Sequence, residues 1–153
     1  MPLYVFCGRD LLAAKLRRSN IDAAAGAVDE IGHIVRRIRA RWPRVRILLR
    51  ADSGFAREPL MAWCEDNRVD YLFGLARNQR LTAEIVAEIE AARIEAEASG
   101  KPARSFRDFT WSTLDSWSRT SRRWQGRVDR RGGQPTFCRD LAQAGAGRGT
   151  ACL

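Results

Sequence analysis

The chain has 153 residues, enough for one domain with a real core and too few for two ordinary ones. Its net charge of +9 is uneven: residues 1–118 carry 19 Lys/Arg against 16 Asp/Glu, and residues 119–153 carry 8 Arg against 2 Asp. The basic excess favours phosphate-bearing partners without specifying a sequence, and most of it lies in the carboxy-terminal quarter. No signal-peptide layout opens the chain and no apolar run approaches a membrane span, so a cytoplasmic protein with no membrane partner is expected. Cys7, Cys64, Cys138 and Cys152 form no Cys-x-x-Cys pair, and the single His33 leaves no Cys/His set for zinc. Reduced, structural cysteines follow.

In chain order, Leu3–Cys7 is a β-type run, Gly8-Arg9-Asp10 reads as a turn, and Leu11 to Leu16 pairs back as a second strand. From Asp22 onward Ala27, Val28, Ile31, Ile34, Val35, Ile38 and Trp42 recur at helical spacing, and Pro43 ends the helix. His33, Arg36 and Arg37 fall on its opposite face, where His33 reads as solvated and takes no role. The apolar run 45–49 continues to Ala51 and Asp52-Ser53-Gly54. A helix pattern restarts near Arg57, so the Asp52 carboxylate falls at the carboxyl edge of an α/β sheet, where ligands bind. An Asp before Ser-Gly equally makes a turn or a helix cap, and the local pattern leaves the two readings even.

Ala56, Leu60, Trp63 and Cys64 mark a short helix, with Pro59 tolerated in its first turn. Asn67-Arg68 then turns into the dense run 70–75, which suits a strand covered on both faces. Leu81, Ile85, Ile89, Ala92 and Ala96 give another helix, ended by Ser99-Gly100-Lys101-Pro102, and Phe106–Trp111 reads as one more strand. The order implies an α/β fold with a mixed sheet flanked by helices. Residues 119–153 hold no lasting period and few apolar anchors, so a disordered basic tail is expected there. Its Arg/Gly content is compatible with translation in a shifted reading frame.

The segments Leu3–Gly8, Leu12–Arg17, Leu49–Phe55 and Tyr71–Asn78, taken together and in this order, resemble bacterial insertion-sequence transposases of the DDE type over about residues 2–118. The resemblance implies a ribonuclease H-like core whose three carboxylates hold two Mg²⁺ (or Mn²⁺) ions for DNA cleavage and strand transfer, with Asp52 matching the second carboxylate. Such chemistry needs hard oxygen ligands around two ions that activate a hydroxyl and stabilise the leaving oxygen. The family's first Asp lies on a strand before the hairpin, and its third carboxylate on a helix beyond a β-rich insertion. Both are missing from this chain, which is therefore expected to be an incomplete fragment, inactive alone and without tightly bound metal.

Glu84 and Glu88 follow the last core strand, but with Glu90, Glu95 and Glu97 they read as a solvated helix face. Asp10, Asp22 and Asp70 have turn or cap readings. Arg50 shares a strand face with Asp52, and Arg57 and Arg77 lie near the same edge, placing them as candidates to steer a DNA phosphate beside the simpler reading of exposed arginines. The expected organisation is a partial catalytic core over 1–98, a linker and the start of a β-rich insertion over 99–118, and the tail over 119–153. Expected partners are DNA at transposon ends and a transposase oligomer. The alternative is a DNA-binding or regulatory remnant that interferes with full-length transposase. A small α/β ligand-binding module has little support, since no Gly-rich phosphate loop follows a strand.

Overall fold

The computed structural model describes residues 1–76, 78–101, 103–111, 117, 122–129, 136–139 and 150–152. The described fold is mixed α/β, with eight short strands and four α-helices, and the chain separates into two compact units, residues 1–72 with 141–153, and residues 73–140.

In the first unit, β1 (Leu3–Cys7) and β2 (Asp10–Lys15) form the expected antiparallel hairpin, turned at Gly8 with φ 61° and irregular between Val5 and Phe6. Leu3 and Val5 are buried, while Tyr4 and Phe6 project from the other face, as strand alternation requires. The hairpin forms a two-stranded sheet of its own among the described residues. Helix α1 (Ala27–Arg41) starts from Gly26 in a left-handed conformation (φ 72°). Asp29 and Glu30 in its first turn and Arg39 and Arg41 in its last complement the helix dipole. Its buried stripe is Ala27, Ile31, Gly32, Ile34 and Val35. Trp42, assigned to that stripe by spacing, instead follows the last turn and is 60% exposed.

Strand β3 (Arg46–Ala51) alternates strictly, with Ile47 and Leu49 buried. Helix α2 (Glu58–Asp66) has Pro59 in its first turn and buries Leu60, Met61 and Cys64. It packs on α1, where a Cβ on Gly32 would lie 3.5 Å from the Trp63 ring. Strand β4 (Asp70–Phe73) lies beside β3, with Tyr71 and Phe73 fully buried and Asp70 and Leu72 half-buried. The Tyr71 hydroxyl donates to Glu65 Oε1 at 2.5 Å, and Arg46 pairs with Asp70 across the two strands at 3.1 Å. On the other side of β3, β8 (Thr150–Cys152) runs parallel, with Arg46 opposite Thr150 and Leu48 opposite Cys152.

In the second unit, α3 (Gln79–Glu84) is capped by Asn78, whose side chain accepts the Leu81 N–H at 2.9 Å. Helix α4 (Val86–Ser99) ends at Gly100 with φ 66°. The single helix expected from 81 to 96 is thus two, because the fully buried Ile85 leaves helical geometry between them. Strand β5 (Arg104–Trp111) pairs antiparallel with β6 (Arg122–Asp129), and β6 with β7 (Thr136–Arg139). Three strands therefore fall within 119–153, and the remainder of that expected tail lies outside the described residues. Arg80 stacks 4.7 Å from the Trp111 ring centroid, and Trp111 meets Phe109 edge-on at 6.3 Å. Along α4, Arg93 pairs with Glu90 and Glu97, so the acidic face is laced as its charge pattern implies. Glu84 is exposed, and Glu88 contacts Arg107 at 3.6 Å.

Candidate carboxylate site at the end of β3

The hydrophobic alternation of β3 fixes which way its polar residues face. Ile47 and Leu49 occupy the core side, so Arg46, Leu48 and Arg50 take the other. Asp52 keeps an extended backbone (φ −77°, ψ −175°) just past the strand and then caps a single 3₁₀ turn, Ser53–Phe55. Its Oδ1 accepts the Gly54 N–H at 2.8 Å, and its carbonyl accepts the Phe55 N–H at 3.2 Å. The carboxylate is exposed, and Oδ2 has no hydrogen-bond donor among the described residues. The turn reading and the ligand reading are thus compatible: one oxygen shapes the chain while the other, on an exposed residue, accepts no hydrogen bond among the described residues. Arg50 is exposed on the same strand side.

The segment between β2 and α1 lies against this turn. A Cβ on Gly54 would come within 3.2 Å of Ala23 Cβ and 3.0 Å of Asp52 Oδ1, so the glycine allows a close approach of the two segments. Arg17 holds the segment in place, donating from one guanidinium nitrogen to the carbonyls of Ala23 (2.9 Å) and Ala25 (2.6 Å). Asp22 turns it, accepting the Ala24 N–H at 2.8 Å. Its second oxygen takes both Nε and a terminal nitrogen of Arg57, each at 3.1 Å. The Ala24 N–H is the largest influence and holds the Asp22 carboxyl below its ordinary value; burial opposes it, and the Arg57 hydrogen bond and charge, then the Arg17 charge, lower it further.

Arg57 is therefore occupied by Asp22. Arg77 lies outside the described residues. The neighbourhood of Asp22 and Asp52, 30 positions apart in the chain, carries no local sequence signal, since it arises from how residues 17–26 fold back. Among the described residues, no three His, Cys, Asp or Glu side chains are grouped to hold a metal ion. With Asp22 committed to Arg57, Asp52 offers one carboxylate and does not make a two-metal centre by itself.

A mixed α/β unit that presents an exposed carboxylate just past a buried strand offers an oxygen ligand at the edge where α/β sheets bind their ligands. The family described as "Transposase DDE domain group 1" matches residues 1–137, and the chain belongs to that family. No curated protein and no solved structure matches it significantly. Among the described residues, no helix is long and apolar enough to cross a membrane.

Proposed function

We propose that the chain is an incomplete DDE transposase catalytic region of ribonuclease H-like design, in which Asp52 is one of the metal-binding carboxylates. The core spans residues 1–98, a linker and the beginning of a β-rich insertion follow to 118, and a basic tail runs from 119 to 153. The reading is carried by the exposed Asp52 at the end of β3, whose Oδ2 accepts no hydrogen bond among the described residues, within the segment that matches the family. A lone carboxylate binds Mg²⁺ or Mn²⁺ weakly, because hard cations gain affinity from several oxygens acting together. DNA at transposon ends is the partner, met in the cytoplasm, together with a transposase oligomer.

Nicking of supercoiled plasmid with Mg²⁺ tests the incompleteness. The chain alone leaves the plasmid intact. Cleavage by the purified chain that disappears in Asp52→Asn would show that the remaining ligands are present in it, and would overturn the proposal.

A further inference from the structure

Between residues 31 and 51 the chain carries seven arginines and no Asp or Glu. The structure sorts them, with Arg50 exposed at the far end of β3, on the side of Asp52. Arg39 donates to the carbonyls of Asn67 and Arg68 (2.7 and 2.9 Å), and so joins α1 to the turn after α2. Arg46 is paired with Asp70, and Arg36 bonds back to the Gly32 carbonyl at 3.2 Å. Arg37, Arg41 and Arg44 are exposed and make no ion pair or hydrogen bond among the described residues. Arg37 and Arg41 are one turn apart on α1, hence on one face. Arg44 follows in the turn to β3 beside the exposed Trp42.

Arg39 and Arg41 both lie in the last turn of α1 and complement its dipole, but only Arg39 also spends its guanidinium on hydrogen bonds among the described residues. Arg37, Arg41 and Arg44 fall within eight positions at this end of α1, exposed and with no acidic partner among the described residues, and together they favour a polyanion. Guanidinium groups match phosphate oxygens well. This corner lies at the start of β3, whereas Asp52 lies beyond its end, about 20 Å from Arg46 along the strand at about 3.3 Å per residue.

We propose that Arg37, Arg41 and Arg44 form a sequence-independent phosphate-binding surface for duplex DNA, separate from the carboxylate edge, with Trp42 resting against the backbone. The inference rests on the transposase reading. It moves the main DNA contact of this unit away from Arg57, which Asp22 holds.

The test is fluorescence anisotropy of the full chain with an arbitrary duplex of about 25 base pairs over a range of NaCl, since each phosphate contact adds about 0.9 to the slope of log K against log salt. The variant Arg37→Gln/Arg41→Gln/Arg44→Gln is compared with Arg9→Gln/Arg18→Gln/Lys101→Gln, which removes the same charge elsewhere, and circular dichroism checks that both fold. The expected result is a slope lower by about 2 to 3 and an affinity lower on the order of 100-fold at low salt for the first variant, with a clearly smaller change for the second. Equal losses in the two variants would overturn the surface and leave only bulk charge. Binding that survives in the first variant and vanishes in Arg119→Gln/Arg130→Gln/Arg131→Gln, which removes the same charge from the basic carboxy-terminal segment, would also overturn it. So would loss of binding to phosphatidylserine vesicles with DNA binding intact, which would assign the corner to a lipid surface. No DNA binding by the unaltered chain would overturn both this surface and the DNA partner of the transposase reading, whereas the nicking assay and metal binding at Asp52 report on that reading alone.

Discussion

Substituting Asp52 separates its two roles, because the turn uses one oxygen as an acceptor and the proposed ligand function uses charge. Asp52→Ala deletes the acceptor of the 2.8 Å bond from Gly54 N–H. Loss of such a cap costs about 0.5–2 kcal/mol. Here the bond is exposed, and the freed N–H turns to water, so the lower part of that range applies, about 0.5–1 kcal/mol. For a chain of this size, roughly 2–4 °C per kcal/mol converts this to a Tm lower by about 1–4 °C. Asp52→Asn keeps a carbonyl oxygen in the same place and stays within about 0.5 kcal/mol of the parent. Urea and thermal unfolding followed by circular dichroism measure both, and amide exchange at Gly54 reports the bond itself, faster in the Ala variant and nearly unchanged in the Asn variant. An Asn variant as unstable as the Ala variant would refute the reasoning, because the charge and not the acceptor would then shape the turn.

Other outcomes follow from the same geometry. Gly54→Ala puts a methyl 3.0 Å from Asp52 Oδ1 and 3.2 Å from Ala23 Cβ, so it destabilises by about 1–2 kcal/mol and shifts the amide resonances of Ala23 and Asp52; unchanged spectra would contradict the packing. Asp22 has a lowered folded pKa, so its contribution to stability is fully present above its ordinary value of 3.8 and is lost as pH falls through the lower folded value. In Arg57→Gln the Asp22 titration, followed by carboxyl-carbon NMR, moves up yet stays below the ordinary value, since the Ala24 N–H remains; no movement would dismiss the ion pair. Met61→Ala empties a fully buried site in α2 and costs about 2–5 kcal/mol in urea unfolding; a cost under about 1 kcal/mol would mean that this core is not packed as described.

The hairpin, α1, β3, α2 and β4 were legible because their apolar residues keep clean periods, and Ile47 and Leu49 against Arg46 and Arg50 even fixed the side on which Asp52 emerges. The interruption at Ile85 was not, since helical spacing continues across it and only burial of that side chain distinguishes the two helices. Trp42 was misplaced for a related reason: its spacing fits the α1 stripe, but the chain has already left the helix. β6, β7 and β8 are paired through backbone, which an Arg/Gly-rich sequence does not announce. At the site, Asp52 was read from its own strand, whereas the Asp22–Arg57 pair and the clamp of Arg17 on Ala23 and Ala25 join distant segments. No local pattern encodes such contacts.

Paramagnetic line broadening by Mn²⁺ tests the central claim most directly, with ¹⁵N spectra recorded for the unaltered chain and for Asp52→Asn. Selective broadening of the amides from Ala51 to Phe55, absent in the Asn variant, is the result expected of a carboxylate that meets a divalent cation at the end of β3. Broadening that centres elsewhere, or persists undiminished in Asp52→Asn, would contradict it.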